Sequence, residues 1–188
     1  LRIVVFVALP AFALLVGWAS VFSTILVNRP EPDLLSIYYV CSLAWFVNAL
    51  AIPAYHINLG SGAVGLNTLS HVIIGVVNLA LGLLLGPWLG AQGVVYAYAI
   101  ALVIGSLFLV IRTQSRYGVG LIPRAPGADI QLLVACLVAA TIGSLAGQPG
   151  SDAGTAARLA TYLLVPAILL ISSWLHPVRK EIASRLLK

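Results

Sequence analysis

The side chains that can do chemistry here are few, and most are neutral. Asn48, Tyr55, His56, Asn58, His71 and Asn78 lie in or beside long apolar runs. Amide, phenol and imidazole groups can donate and accept hydrogen bonds there without carrying charge into an apolar setting. His71, Gly75, Asn78 and Gly82 follow one another at spacings of 4, 3 and 4, which puts all four on one face of a helix. That face is small and polar. Three roles are open to Asn78: a hydrogen bond across a tight helix seam, worth ~0.6 to 2 kcal/mol, a contact to a passing polar substrate, or a place at a hinge or gate. In the next apolar run Ala97, Ala101 and Gly105 repeat the small-residue spacing that lets helices approach closely.

A second cluster is "NALAIPAYHINLG", residues 48–60. Pro53 has no N–H to give the carbonyl of Ala49, which predicts a kink, with Asn48 close enough to help satisfy the freed group. Beyond the kink come Tyr55, His56 and Asn58. A broken helix carrying polar groups is an element transporters use along their pathways; Tyr and His anchoring a helix end at the membrane interface is the plainer alternative. Pro10 and Pro166 predict kinks in two further runs.

Enzyme chemistry is poorly served. "GSG" at 60–62 followed by His71 suggests a serine nucleophile, but Ser61 falls in a connector and no acid stands by to orient the histidine. Membrane transferases that use a divalent metal present acidic residues at the membrane face, and no such loop is present. His56, His71 and His176 lack metal-ligand spacing, and Cys41 and Cys136 sit singly inside apolar runs, as small hydrophobes do. No catalytic residue, metal or cofactor is expected, and no nucleic-acid partner.

The elements that must position these residues follow from composition. Of 188 residues, 61% are hydrophobic and 8% charged, and the mean hydropathy is +1.08, far from a soluble domain and typical of an integral membrane protein. About 20 apolar residues cross a bilayer as a helix. By that measure six spans are predicted, over residues 3–27, 34–55, 68–85, 94–111, 130–145 and 157–175. Connectors with turn chemistry separate them: "NRPEPD", "NLGSGAVGLN", "GPWLGAQG", "RTQSRYGVGLIPRAPGAD" and "QPGSDAGTA". The runs are too long and too uniformly apolar for barrel strands, so the expected fold class is all-α, a polytopic membrane helix bundle of about six transmembrane helices.

If the helices alternate in direction, one side collects Arg2, Arg112, Arg116, Arg124, Arg179, Lys180, Arg185 and Lys188, and the other only Arg29 and Arg158. The positive-inside rule then places both termini in the cytoplasm. The five acids, Glu31, Asp33, Asp129, Asp152 and Glu181, all fall outside the spans, which argues against intramembrane proton chemistry. Residues 176–188 read as a basic cytoplasmic tail, either a plain positive-inside signal or an amphipathic helix on anionic lipid. The chain opens without an initiator and has no methionine, so residue 1 is expected to be an internal position of a longer protein.

Residues 67–111 carry a resemblance. Here "VVNLALGLLLGPWLGAQGVVYAYAI" is similar to the helix, short glycine turn and small-residue helix of polysaccharide flippases in the multidrug/oligosaccharidyl-lipid/polysaccharide exporter superfamily. Asn78 stands at the family's asparagine, Gly90 and Gly93 at its turn glycines and Ala97 at its small position. "LPAFALLVGWASVFSTIL" resembles the family's proline-bearing helix, and the likeness runs from the first span through the fourth. It differs in the uncharged inner loop and in Trp88 and Gln92 of the turn. The resemblance implies a MATE-like fold in which residues 1–188 form the C-terminal lobe of a two-lobe transporter, partnered by a missing N-terminal lobe. The implied cargo is an oligosaccharide on a polyprenyl pyrophosphate, flipped across the cell inner membrane for lipopolysaccharide or exopolysaccharide export and polysaccharide biosynthesis. Cationic contacts to the pyrophosphate would come from the other lobe or from groups such as Arg112. A drug or small-solute exporter of the same superfamily is the alternative, with a membrane-embedded transferase behind it. The residues expected at a substrate pathway or helix seam are Asn48, Pro53, Tyr55, His71, Asn78 and Arg112.

Overall fold

The computed structural model describes residues 2–118, 127–147 and 155–186. All regular structure among them is helical: α1 (Arg2–Gly17), α2 (Ala19–Val27), α3 (Pro32–Leu50), α4 (Ile52–Gly60), α5 (Val64–Tyr117), α6 (Gly127–Ala146), α7 (Thr155–Leu175) and α8 (Val178–Leu186). The chain is a polytopic, all-α membrane protein. Four stretches are long and apolar enough to cross a bilayer, and five if the bent pair of α1 and α2 counts as one.

α5 is in fact two crossings. Its 54 residues would reach roughly 80 Å if straight, against about 30 Å of hydrocarbon. Gly90 interrupts it with φ 60° and ψ −141°, a conformation open to glycine and strained for any other residue. The chain reverses there, because the Ser70 hydroxyl donates to the Gly105 carbonyl at 2.8 Å, a contact that 35 residues of straight helix would forbid. Residues 64–89 and 91–117 are therefore antiparallel arms, and the described spans number six. The turn needs only Gly90 to leave helical geometry, so "GPWLGAQG" is largely helix and not an open loop.

The connector "NLGSGAVGLN" is likewise shorter than its composition suggests, since α4 runs to Gly60 and α5 begins at Val64. Most of the connectors before α6 and α7 lie outside the described residues.

Two compact units divide the chain, residues 2–39 with 124–188 and residues 40–123, and α3 passes from one to the other. In the first, α1, α6 and α7 pack around Ala13, Leu132, Cys136, Ala139, Val165 and Leu169. Small residues set the spacing: a Cβ on Gly143 would stand 2.7 Å from the Cα of Gly17. α1 and α2 meet at 53° at Trp18, seven to eight residues beyond Pro10, so the bend falls where Gly17 meets Gly143 and not at the proline. Trp18 Nε1 donates to the Tyr162 carbonyl at 3.1 Å, and Ser20 and Tyr162 share a hydroxyl contact of 2.7 Å. Pro166 lies inside a continuous α7.

In the second unit α4 packs on α5, with Ala51, Ala54 and Leu109 in one core cluster and Ala44, Ala99 and Leu102 in another. Ala97 and Ala101 are fully buried, as their spacing with Gly105 predicts. Large apolar side chains such as Val76, Leu79, Leu83, Leu84 and Trp88 are exposed along the first arm, the pattern of a surface solvated by lipid.

Candidate functional site

The helical ladder changes where α3 meets α4. Ala51 leaves the helical ladder, its N–H bonding to the Asn48 carbonyl at 3.0 Å in a tightened turn, and regular bonding resumes from Tyr55 N–H to the Ala51 carbonyl at 3.0 Å. Pro53 stands in the first turn of α4, where a missing N–H costs least. The ladder is interrupted for one residue, but α3 and α4 remain one apolar stretch, Pro32–Gly60, without the sharp bend of α1 and α2, and the Asn48 side chain does not serve the interruption. Its Oδ1 accepts from the Ser106 hydroxyl at 3.1 Å, tying α3 to the second arm of α5.

That tie forms one wall of a pocket of about 290 Å³ lined by Asn48, Tyr55, Ser70, His71 and Ser106 over a floor including Ile74 and Leu109. Tyr55 and His71 meet edge to face at 6.4 Å between ring centroids, and His56 meets Tyr55 at 5.7 Å. Three of the sequence-predicted residues, Asn48, Tyr55 and His71, thus converge, and Pro53 shapes the break beside them.

Behind Tyr55 is a network of which sequence reasoning singled out Asn58 but missed Asn67 and Thr113. Asn67 Nδ2 donates to the Tyr55 carbonyl at 3.1 Å, and Asn67 Oδ1 accepts from Asn58 Nδ2 at 3.2 Å. The other Asn58 N–H goes to Thr113 Oγ1 at 2.8 Å. Asn58 and Thr113 are completely buried, and Asn58 Oδ1 has no hydrogen-bond partner. About one helical turn further along, Ser61 pairs its hydroxyl with that of Tyr117. The signal was present as two asparagines flanking "LGSGAVGL", but Asn67 reads as a loop residue when that stretch is taken for a connector.

Asn78 and Arg112 stand apart from the pocket. The Asn78 carboxamide oxygen is buried without a hydrogen-bond partner, and a Cβ on Gly75 or Gly82 would meet nothing within 4 Å. The face of His71, Gly75, Asn78 and Gly82 is therefore not the seam; the close contact runs through Asn67, Ser70 and Ile74, with Ile74 lying over Gly105. Arg112 lines a different pocket with Leu66, Ser115 and Arg116.

A second polar cluster lies in the other unit. Asp129 Oδ1 accepts from His176 Nε2 at 2.9 Å and pairs with Arg2 Nε at 3.2 Å, while Phe6 packs 5.1 Å from the imidazole. The Val178 N–H points at His176 Nδ1 at 3.4 Å. His176 is thus a bridging residue between α6 and the start of α8, and it belongs to a different unit from His56 and His71. Among the described residues no three His, Cys, Asp or Glu side chains gather as metal ligands.

Chemically, the pocket at the helix break offers neutral donors and acceptors in an otherwise apolar unit. It can hydrogen-bond an uncharged polar group and shield it from hydrocarbon. Compared with protein-family models, curated proteins and solved structures, the chain has no match in any of the three.

Proposed function

We propose that this chain is the lobe of a transporter that carries a polyprenyl-pyrophosphate-linked oligosaccharide across the cytoplasmic membrane by alternating access. One observation carries the reading: a helix whose ladder tightens at Ala51, between α3 and α4, beside a pocket whose polar wall is made of Asn48, Tyr55, Ser70, His71 and Ser106. Hydroxyl-rich cargo needs such neutral partners, because sugar hydroxyls stripped of water cost several kcal/mol each when unpaired. A tightened turn, such as the one at Ala51 between α3 and α4, is also where a helix can bend between two access states.

The resemblance over residues 67–111 supports the same reading. Both termini are assigned to the cytoplasm by the basic residues, and a second lobe of the same protein is assigned the rest of the pathway. The lipid-linked glycan is substrate and the bilayer is solvent; no cofactor is invoked.

The test is leaflet-specific labelling of lipid-linked glycan in cells carrying Asn48→Leu or His71→Phe. Normal protein level with loss of outer-leaflet glycan is the expected result. Undiminished outer-leaflet glycan in both variants would overturn the assignment.

A further inference from the structure

The open end of the α5 hairpin holds a second pocket, of about 330 Å³, lined by Leu66 of the first arm and by Arg112, Ser115 and Arg116 of the second. Arg112 and Arg116 are one helical turn apart, roughly 6 Å along the axis, so two guanidinium groups sit on one face. Like charges at this spacing repel. Among the described residues no carboxylate is within ion-pairing distance of either arginine, and Glu31 and Asp129 are engaged by Arg29 and by Arg2 with His176.

Arg116 is nevertheless positioned. The Arg116 guanidinium lies 5.7 Å from the Tyr117 ring centroid, and the Tyr117 hydroxyl is fastened to Ser61 at the end of α4. The Ser115 hydroxyl donates back to the Ile111 carbonyl at 2.9 Å, which leaves the arginines as the pocket's available charged donors. Planar guanidinium forks match phosphate oxygens in pairs. The setting is the last two turns of a membrane-crossing arm, the depth at which arginine side chains reach toward the headgroup layer.

We infer that Arg112 and Arg116 form a phosphate-binding site at the membrane surface, with Leu66 as the apolar wall against which a lipid's glycerol and upper acyl chain rest. The chemistry is that of a phosphate anion, carried by an anionic phospholipid headgroup or free in solution. The site is separate from the pocket at Asn48, and it stands whether or not that pocket carries glycan.

Thermal unfolding of the purified full chain in nanodiscs tests it. Phosphatidylglycerol discs are expected to raise the midpoint relative to phosphatidylcholine discs, and Arg112→Gln/Arg116→Gln to abolish that rise. Arg179→Gln/Lys180→Gln, which removes the same charge from α8, should keep it. Arg112→Lys/Arg116→Lys should keep part of it, since charge survives and the fork does not. A parallel arm adds millimolar inorganic phosphate or pyrophosphate to phosphatidylcholine discs: an equal rise, again lost in the glutamine pair, assigns the site to a soluble anion. Equal loss in both charge-removal pairs, or no difference between the two discs in the parent protein, overturns the site. The midpoint in phosphatidylcholine discs monitors folding, and if the glutamine pair is unfolded there, the lysine pair against the α8 pair decides.

Discussion

Asn58, fully buried in α4, donates to Thr113 Oγ1 at 2.8 Å across 55 residues of chain. The same carboxamide reaches Asn67, and Asn67 reaches the Tyr55 carbonyl, so three helical segments are joined where lipid offers no competing water. Replacing Asn58 by Leu leaves the Thr113 hydroxyl and Asn67 Oδ1 short of a donor. The expected loss is about 1–2 kcal/mol, and Thr113→Val should cost somewhat less. Measured by unfolding in mild detergent, the double variant should lose clearly less than the two single losses added together. Strict additivity would mean that the two groups are neighbours without being coupled.

The glycines divide into two kinds. A methyl on Gly143 would stand 2.7 Å from the Cα of Gly17, whereas one on Gly75 would meet nothing within 4 Å. Gly143→Ala should therefore destabilise by about 1–3 kcal/mol through forced separation of α1 and α6. Gly75→Ala should be neutral or stabilising by up to about 1 kcal/mol, the helix-propensity difference. Thermal midpoints of the two variants check this, and a larger loss at Gly75 would restore its face as the packing seam.

Asp129 holds two partners of unequal worth. Its bond to Arg2 is half exposed at the arginine, whose side chain is 43% accessible, while the His176 side chain is only 3% accessible. Arg2→Gln should cost at most about 1 kcal/mol, as exposed ion pairs do. Asp129→Ala should cost about 1–3 kcal/mol because a buried imidazole N–H loses its acceptor, and Asp129→Asn, which keeps an oxygen there, should fall between. Chemical denaturation of the three variants gives the order, and equal losses for Arg2→Gln and Asp129→Ala would remove His176 from the account.

Much of the fold was legible because it rests on length and apolarity. Six runs near 20 residues, Gly90 at a short joint, and Ala97, Ala101 and Gly105 at small-residue spacing each act through local geometry or burial that composition reveals. The site was legible in part. Pro53 announced the break, and Asn48, Tyr55 and His71 stood near it in sequence. What was not legible depended on which face of a helix turns toward its neighbour. His71, Gly75, Asn78 and Gly82 share a face, but rotation about the α5 arm is set by Ser70 bonding Gly105 and by Ile74 lying over it, and both faces of that arm contain small residues. The Asn58 network and the Asp129–His176 pair join residues 55 and 47 positions apart, and no periodicity within one helix can register a partner on another.

Pro53 tests whether the break serves transport. Proline there denies the Ala49 carbonyl its helical donor, and the tightened turn from Ala51 to Asn48 takes up the slack. Pro53→Ala restores the N–H and should let α3 and α4 run on as one helix, with stability unchanged or raised by about 1 kcal/mol, because alanine is the better helix former and the proline sits in a first turn where it does least harm. Straightening would turn Tyr55 and the start of α4 away from Asn48, whose own position is fixed by Ser106. Spin labels at Leu43 and Leu59, both exposed, with Cys41 and Cys136 replaced by alanine, should report a separation near the roughly 24 Å of a straight helix in the variant and a shorter one in the parent. Outer-leaflet glycan should fall in the same variant while its protein level holds. A longer label distance with undiminished glycan would leave the break a structural feature without a part in transport, whereas an unchanged distance would show that the bend is held by the packing of Ala51 and Ala54 against Leu109 and not by the proline.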